Sequence, residues 1–234
     1  MFLLHFFQKE EKTVIRCENT VKRYGERTVL DIKELTVNKG SSVALTGANG
    51  SGKSTLLKII AGTTAFEGTV RASGRILYMP QKIIAFDMSV LSNVTFSLKG
   101  RKSEKEERAM AALSRVGLKE LYKKNALTLS GGECARLSLA RILVNDCDIL
   151  LLDEPTGAVD IEGTEIIENT VREYISEKER TLIIATHSPL QAKRMADRVI
   201  MLQKGSIVED CSPDELLKAP STEFGKKFVD MWRY

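Results

Sequence analysis

The sequence is poor in the residues that build metal centres and disulfide frameworks. It contains four cysteines and two histidines among 234 residues, and no two cysteines form a Cys-x-x-Cys pair. No His-rich neighbourhood surrounds any of the cysteines, so the pattern predicts neither a zinc site nor a disulfide scaffold. We therefore expect the chain to work in a reducing compartment.

Long hydrophobic runs are also missing. A membrane-spanning helix needs about 18 apolar residues in succession, and no segment approaches that length. The apolar segment Met1–Phe7 has no basic n-region before it and is followed at once by the charged segment Gln8–Lys12. This pattern predicts neither a signal peptide nor a membrane-spanning helix. Two alternatives remain for the N-terminal extension, residues 1–12, which are an extra edge strand and a flexible segment.

The chain lacks a strong excess of charge of either sign. The 35 Lys and Arg residues against 31 Asp and Glu leave a net charge of +4, and the basic residues are scattered along the chain. Proteins that bind nucleic acids gather such residues into patches, so we expect no nucleic-acid partner. The length suits one large domain, which we place at residues 13–234.

What the sequence does contain is an alternation of short apolar runs and helical patterns, which predicts an α/β fold. Val43–Thr46 precedes a glycine-rich segment, while Ile149–Leu152 and Leu182–Ala185 are continuously apolar. Continuous apolar runs are typical of central parallel strands that are covered on both faces. A later pair of apolar runs flanks Lys204-Gly205, which predicts an antiparallel hairpin.

The segment from about residue 83 to residue 132 has a different character, because it lacks apolar strand runs. Ser103 with Glu106 three positions later forms a capping-box pattern, which predicts that a helix begins there. Gly117 predicts where this helix ends. We therefore expect a helical subdomain inserted into the α/β fold.

The pattern Gly47-x-x-x-x-Gly52-Lys53-Ser54 carries the first recognisable chemistry. Its glycines let successive backbone N–H groups surround phosphates, Lys53 can neutralise the β- and γ-phosphates, and the Ser54 hydroxyl can hold Mg²⁺. A glycine-rich turn that binds nothing is the alternative, and the predicted strand before and helix after the loop disfavour it. The predicted ATP contacts here are Gly47, Ala48, Asn49, Gly50, Ser51, Gly52, Lys53, Ser54 and Thr55.

Two acidic residues, Asp153 and Glu154, follow the buried run that ends at Leu152. The carboxyl ends of strands form the edge at which α/β sheets bind ligands. We expect Asp153 to contact Mg²⁺ and Glu154 to polarise an attacking water as a general base. Acidic residues also end strands simply as turn formers, and the presence of the phosphate loop favours the catalytic interpretation.

The run Leu129–Glu133 reads Leu-Ser-Gly-Gly-Glu. Ser130 and Glu133 match a helix capping box, but a capping box does not explain Gly131 and Gly132. Adjacent glycines weaken a helix start unless a ligand must approach the backbone closely. The exposed N–H groups of a helix N-terminus suit a γ-phosphate.

These three motifs, in the chain order Gly47–Ser54, Leu129–Glu133 and Asp153-Glu154, resemble the nucleotide-binding domain of ATP-binding-cassette (ABC) transporters over about residues 14–210. The resemblance implies a P-loop NTPase core with a mainly parallel sheet, an N-terminal antiparallel β subdomain, and a helical subdomain inserted between the Q-loop and the signature motif. It also implies that two copies enclose ATP between them. The residues that would reach the partner's ATP in trans are Ser130, Gly131, Gly132 and Asp160.

Three further positions take their expected roles from the same resemblance. Gln81 resembles the Q-loop glutamine that senses Mg²⁺ and the γ-phosphate, and His187 resembles the switch histidine that contacts the γ-phosphate. Tyr24 resembles the aromatic residue that stacks on adenine. The implied catalytic set is Glu154, His187, Gln81 and Lys53, and the implied Mg²⁺ set is Ser54, Gln81 and Asp153.

Two positions depart from the family pattern. Cys134 stands where glutamine is common, and Gly157–Val159 replaces the more frequent Ser-x-Leu of the D-loop, Thr156–Asp160. Neither change removes a reacting group, so both bear on coupling or subtype rather than on hydrolysis.

The resemblance implies an ATP-hydrolysing subunit that drives transport, with import expected, through a separate membrane permease. Implied partners are a second copy or a similar subunit, the permease and an extracytoplasmic binding protein, with the chain at the cytoplasmic face of the membrane. A soluble ABC ATPase of iron–sulfur assembly, repair or translation is the alternative, while a non-hydrolysing module is disfavoured. The interval from Lys53 to Gln81 and the segment Gln191–Asp197 resemble cassettes for oxyanions, such as tungstate or phosphate, or for polar amino acids.

Overall fold

The computed structural model describes residues 13–157 and 159–232. The expectations for residues 1–12 therefore lie outside the described part of the chain. The strands are β1 (Thr13–Tyr24), β2 (Arg27–Asn38), β3 (Ser42–Thr46), β4 (Glu67–Ala72), β5 (Ile76–Met79), β6 (Ile149–Asp153), β7 (Thr181–Ala185), β8 (Arg198–Gln203) and β9 (Ser206–Cys211). The helices are α1 (Lys53–Ile60), α2 (Val90–Thr95), α3 (Lys102–Arg115), α4 (Gly131–Leu143), α5 (Ile161–Ser176), α6 (Pro189–Met195), α7 (Pro213–Lys218) and α8 (Glu223–Asp230).

The main sheet has the strand order β5-β6-β7-β3-β8-β9. All neighbouring pairs are parallel except β8 and β9, which form an antiparallel hairpin. The predicted hairpin is confirmed, and Lys204 and Gly205 turn it with φ angles of 49° and 87°. Two residues with positive φ are characteristic of the tight turns whose twist matches that of the strands.

The apolar runs at the centre of the sheet divide their side chains between two cores. Leu150 and Leu152 of β6 belong to a cluster that includes residues of α3, α4 and α5, whereas Ile149 and Leu151 belong to a cluster with β1, β2 and α1. Successive side chains of a strand point to opposite faces, so both faces of β6 need apolar residues. The continuous runs in β6 and β7 are explained by this double burial, as predicted.

A second sheet, with the order β2-β1-β4, is antiparallel throughout and covers the α1 side of the main sheet. Together, the two sheets and the flanking helices confirm the predicted α/β fold with a mainly parallel core and an N-terminal antiparallel part. No helix within residues 13–157 and 159–232 has both the length and the apolar character that crossing a membrane requires.

The segment between β5 and β6 is helical, as predicted, but its main helix begins before the predicted residue. Helix α3 starts at Lys102 with Arg101 as its N-cap, and no side-chain cap bond is formed. The capping box predicted at Ser103 is therefore wrong, because Ser103 already lies inside the first helical turn. Arg101 Nε instead donates to Glu104 Oε1 at 2.8 Å. The predicted stop is confirmed, since Gly117 follows the helix end with a φ of 68°.

A buried carboxylate determines where α8 begins. The Glu209 side chain in β9 accepts hydrogen bonds from the Ser221 N–H at 3.1 Å, the Thr222 N–H at 2.9 Å and the Thr222 hydroxyl at 2.6 Å. Thr222 in turn caps α8 by accepting from the Gly225 N–H at 3.0 Å. Burial opposes ionisation of Glu209, but these hydrogen bonds outweigh it and hold the pKa below its ordinary value.

Replacing Glu209 by alanine should leave the partly buried N–H groups of Ser221 and Thr222 without their acceptor. We expect the E209A variant to lose about 1–3 kcal/mol of unfolding free energy at neutral pH, measured by urea denaturation. The control D210A removes the neighbouring acidic residue, whose partly exposed ion pair with Arg198 contributes at most about 1 kcal/mol.

The pH dependence of this contribution has a definite sign. Because the folded-state pKa of Glu209 is lowered, its stabilisation is present above the ordinary glutamate pKa of about 4.3. It is lost as the pH falls through the folded-state value. The difference between wild type and E209A should therefore shrink in acid, and a difference that stays constant down to pH 2 would contradict this role.

Candidate active site

The glycine-rich loop connects the end of β3 to the start of α1. Gly47, Gly50 and Gly52 have φ angles of 133°, 76° and 111°, which only glycine adopts without strain. A Cβ atom at Gly47 would also lie 2.2 Å from the Leu202 carbonyl oxygen. The loop therefore depends on glycine for its backbone conformation and, at Gly47, for its packing against β8.

Lys53 begins α1 and is 5% exposed. Its Nζ donates to the Gly47 carbonyl at 2.8 Å and to the Ala48 carbonyl at 3.2 Å, and lies 3.9 Å from Glu154 Oε1. Burial lowers the pKa of Lys53, while the nearby carboxylates of Glu154 and Asp153 oppose that shift. The loop thus encloses one ammonium group at the position from which it can neutralise phosphate.

Asp153 ends β6 and faces the first turn of α1. Its Oδ1 accepts from the Ser54 hydroxyl at 2.9 Å, and its Oδ2 accepts from the Tyr78 hydroxyl at 3.3 Å. Burial, with a smaller contribution from Glu154, raises the pKa of Asp153, although these two hydrogen bonds oppose the shift. A cation bound beside this carboxylate would favour its ionised form.

The pair formed by Ser54 and Asp153 fits a magnesium ion. Mg²⁺ binds proteins through one or two oxygen ligands and completes its shell with waters and substrate phosphates. The described residues contain no group of three or more His, Cys, Asp or Glu side chains that could hold a metal alone. A site made of one hydroxyl and one carboxylate beside a phosphate loop therefore suits a Mg²⁺ ion that arrives with a nucleotide.

Two buried hydroxyls lie where the strand passes into the loop. The Oγ1 of Thr46 and the Oγ of Ser51 have no hydrogen-bond partner among the described residues. Unpaired buried polar groups are rare and costly. A phosphate in the loop would offer oxygens that such groups can bind.

Glu154 follows Asp153 and is held in an unusual backbone conformation. Its φ is 48°, in the left-handed region, while its N–H donates to the Ala185 carbonyl at 3.0 Å. Backbone strain of this kind is concentrated at functional sites. The Gln81 amide donates to Glu154 Oε2 at 3.0 Å, and His187 Nδ1 lies 3.7 Å from the same oxygen. Glu154, Gln81 and His187, which follow three different strands, therefore have their side chains close together.

Not all of the predicted ATP-binding residues lie beside Glu154 and the glycine loop. Ser130 caps α4, and the capping box with Glu133 is present in both directions. Asp160 caps α5 by accepting from the Gly163 N–H at 2.7 Å. Tyr24 lies at the end of β1 with 55% of its surface exposed, and Lys22 Nζ lies 4.7 Å from its ring centroid.

The sequence interpretation missed a polar network behind the histidine. Helix α6 starts directly after His187, and its Gln191 amide donates to the Thr156 hydroxyl at 2.9 Å and to Glu168 Oε1 at 3.0 Å. Arg194 donates two hydrogen bonds of 2.7 Å to the Glu168 carboxylate. Burial opposes ionisation of Glu168, but Arg194 and Gln191 outweigh it and lower its pKa. The network ties the histidine's helix to α5 and to the segment that follows Glu154.

The site combines a glycine loop between β3 and α1, a buried lysine and two carboxylates at the end of β6. These features define a phosphate-loop nucleoside triphosphatase. The family model described as ABC transporter matches residues 30–157, which is more than half of the chain. The chain belongs to the ABC transporter family, as an ATP-binding and ATP-hydrolysing subunit.

Individual relatives agree with this membership. The chain is 39% identical over 207 residues to the tungstate uptake system ATP-binding protein TupC of Peptoclostridium acidaminophilum, covering 83% of this chain and 97% of that protein. It is 32% identical over 237 residues to the spermidine/putrescine import ATP-binding protein PotA of Bacteroides thetaiotaomicron, covering 94% of this chain. Because it matches 51% of that protein, the chain spans about half of the PotA length.

A solved structure has the same architecture. It is described as a metal-chelate type ABC transporter in an inward-facing conformation, and it superposes with a TM-score of 0.76 at 28% sequence identity. The match covers 89% of this chain and 86% of that chain.

The position of Lys53 leads to a direct test of nucleotide binding. We expect K53A to weaken ATP affinity by about 10- to 150-fold, because a charge-assisted contact contributes about 1.5–3 kcal/mol. Equilibrium titration with a fluorescent ATP analogue measures this change. The control K58A removes an exposed lysine from the same helix and should bind like wild type. Equal affinity of K53A and K58A would refute the role of Lys53.

Proposed function

We propose that the chain is the ATPase subunit of an importer for a tetrahedral oxyanion, acting as a dimer on a separate membrane permease. The observation that carries the ATPase mechanism is the convergence of Lys53, Glu154 and His187 beside the glycine loop. We propose that residues 13–234 form a single ATPase domain at the cytoplasmic face of the membrane. An extracytoplasmic binding protein is the further partner expected for an importer.

Each polar group then has a proposed role in hydrolysis. Loop N–H groups and Lys53 bind the β- and γ-phosphates. Ser54, Asp153 and Gln81 would hold Mg²⁺, which would supply neutralisation of the developing phosphate charge. Glu154 orients the attacking water and accepts its proton. Gln81 orients the carboxylate of Glu154, and His187 contacts the γ-phosphate.

The second half of each site is proposed to come from another copy. Ser130, Gly131 and Gly132 present the N-terminus of α4, and the hydrogen bonds that Ser130 forms with Glu133 stay within its own helical turn. A helix N-terminus favours an anion, and no described contact brings these residues to the loop of their own chain. The trans arrangement, with Tyr24 on adenine and Asp160 beside the partner's nucleotide, uses these exposed groups.

The helical part offers the surface for the permease. The rings of Phe86 and Phe96 lie with their centroids 5.7 Å apart, and Phe96 is 72% exposed. Ile84, two positions before Phe86 in the chain, is 51% exposed. Clustered exposed apolar side chains commonly mark protein interfaces. We therefore assign this cluster, which follows Gln81 in the chain, to the contact with the membrane subunit.

Replacing Glu154 by glutamine tests both the base and the dimer. We expect E154Q to bind Mg²⁺-ATP but to hydrolyse it about 10²- to 10⁴-fold more slowly, because the amide cannot accept the proton. It should elute from size-exclusion chromatography as a dimer with Mg²⁺-ATP and as a monomer without it. Rapid hydrolysis by E154Q would exclude Glu154 as the base.

A double variant separates dimer formation from ATP binding by the single chain. Adding S130R to E154Q places a bulky cation at the proposed trans contact and should abolish the ATP-dependent dimer while each loop still binds ATP. A dimer that persists in this double variant would contradict the trans assignment of Ser130.

The oxyanion proposal rests on a comparison of two relatives. The chain is 39% identical to the tungstate relative and covers 97% of it, whereas it is 32% identical to the spermidine relative and covers 51% of it. The permease that co-purifies with the chain can be reconstituted with it in proteoliposomes, together with its binding protein. We expect ATP-driven uptake of tungstate or a similar oxyanion, no uptake of spermidine, and no uptake with E154Q. Co-purification with soluble partners alone would instead favour a non-transport ABC ATPase.

A further inference from the structure

The imidazole of His187 has two neighbouring side chains, and the mechanism above uses only one of them. The Glu154 carboxylate lies at one edge, 3.7 Å from Nδ1. The indole of Trp232 is the second neighbour, with ring centroids 5.9 Å apart and planes inclined by 38°. With both neighbours in place the His187 side chain is 48% exposed, so few other groups hold its orientation.

The position of Trp232 is determined by a well-anchored element. Helix α8 buries Phe228 and Val229, and the Trp232 N–H donates to the Val229 carbonyl at 2.9 Å. The first turn of α8 is held by Glu209 through the hydrogen bonds described above. The indole therefore extends from a helix that is fixed at its start and packed along its length.

The C-terminal end of α8 borders the phosphate-loop region. Gly47, Ala48, Glu154 and His187 line a cavity of about 430 Å³ together with Phe228 and Trp232. The indole thus contacts the histidine at the cavity that also borders the loop and the proposed base. An aromatic contact at this place can influence the orientation of His187 without touching the nucleotide-binding lysine.

We propose that Trp232 is a positioning residue for His187, and that its indole holds the imidazole in the orientation that reaches the γ-phosphate. This inference rests on the proposed role of His187 in hydrolysis. Aromatic pairs contribute modest energies, so loss of the contact lowers the population of the productive imidazole rotamer rather than abolishing it. The loop and Lys53 continue to bind ATP.

The kinetic test compares the full chain with three variants. We expect W232A to lower kcat for ATP hydrolysis by about three- to tenfold with KM unchanged. W232F keeps an aromatic ring and should recover most of kcat. K226A truncates an exposed side chain of the same helix and should behave like wild type. Wild-type kcat in W232A would overturn the proposal, as would a joint change of kcat and KM that W232F does not reverse.

A spectroscopic test reports on the contact itself. Trp232 is the single tryptophan of the chain, so emission excited selectively from tryptophan arises from the indole next to His187. We expect H187A to change the emission intensity of Trp232 in the folded protein, and Mg²⁺-ATP to change it in E154Q. Emission that is identical in wild type and H187A would overturn the contact.

The variant H187A also separates this inference from the proposed function. If H187A hydrolyses ATP at the wild-type rate, the proposed role of His187 fails, and the positioning role of Trp232 fails with it. If H187A loses hydrolysis while W232A retains it, the inference about Trp232 alone is overturned.

Discussion

The parallel register of β6, β7 and β3 is the constraint on which the site depends. Asp153 pairs with Ala185 across the first two strands, and Ala185 pairs with Leu45 on the third. All three strands therefore end at one edge, and the residues that follow them meet there. The loop, the carboxylates and the histidine each belong to a different connection. A shift of one strand by one residue would therefore move its functional residue away from the others and exchange the core into which each of its side chains packs.

Electrostatics at this edge explain why so many polar groups surround one carboxylate. Glu154 is close to Lys53, Gln81 and His187, and its own backbone is held in the left-handed region by a bond to Ala185. The two acidic residues exceed the single lysine in charge, and burial raises the pKa of Asp153. A divalent cation beside Ser54 would balance this excess, and this charge balance is the physical reason why a metal ion would accompany the nucleotide.

Support for the site comes from elements far away in the chain. The buried Glu168 links α5 to α6 and thereby fixes the helix that follows His187, while Glu209 fixes the start of α8 and the direction in which Trp232 extends. Both carboxylates are ionised against burial because several donors surround each of them. The Glu168 network thus supports the helix that follows His187, and the Glu209 hydrogen bonds support the helix that carries Trp232.

Local sequence patterns alone determined several elements of this protein. The glycine loop, the caps at Ser130 and the turn at Lys204-Gly205 involve residues within a few positions of one another, and the continuous runs of β6 and β7 record burial on both faces. Even so, the cap expected at Ser103 was wrong, since the local pattern did not show where the helical backbone begins. Tertiary structure alone decided the contacts of Tyr78 with Asp153, of Gln191 with Glu168 and of Trp232 with His187. These pairs are separated by 75 and 23 residues in the first two cases, and their meeting depends on strand order and helix docking, which periodicity does not encode.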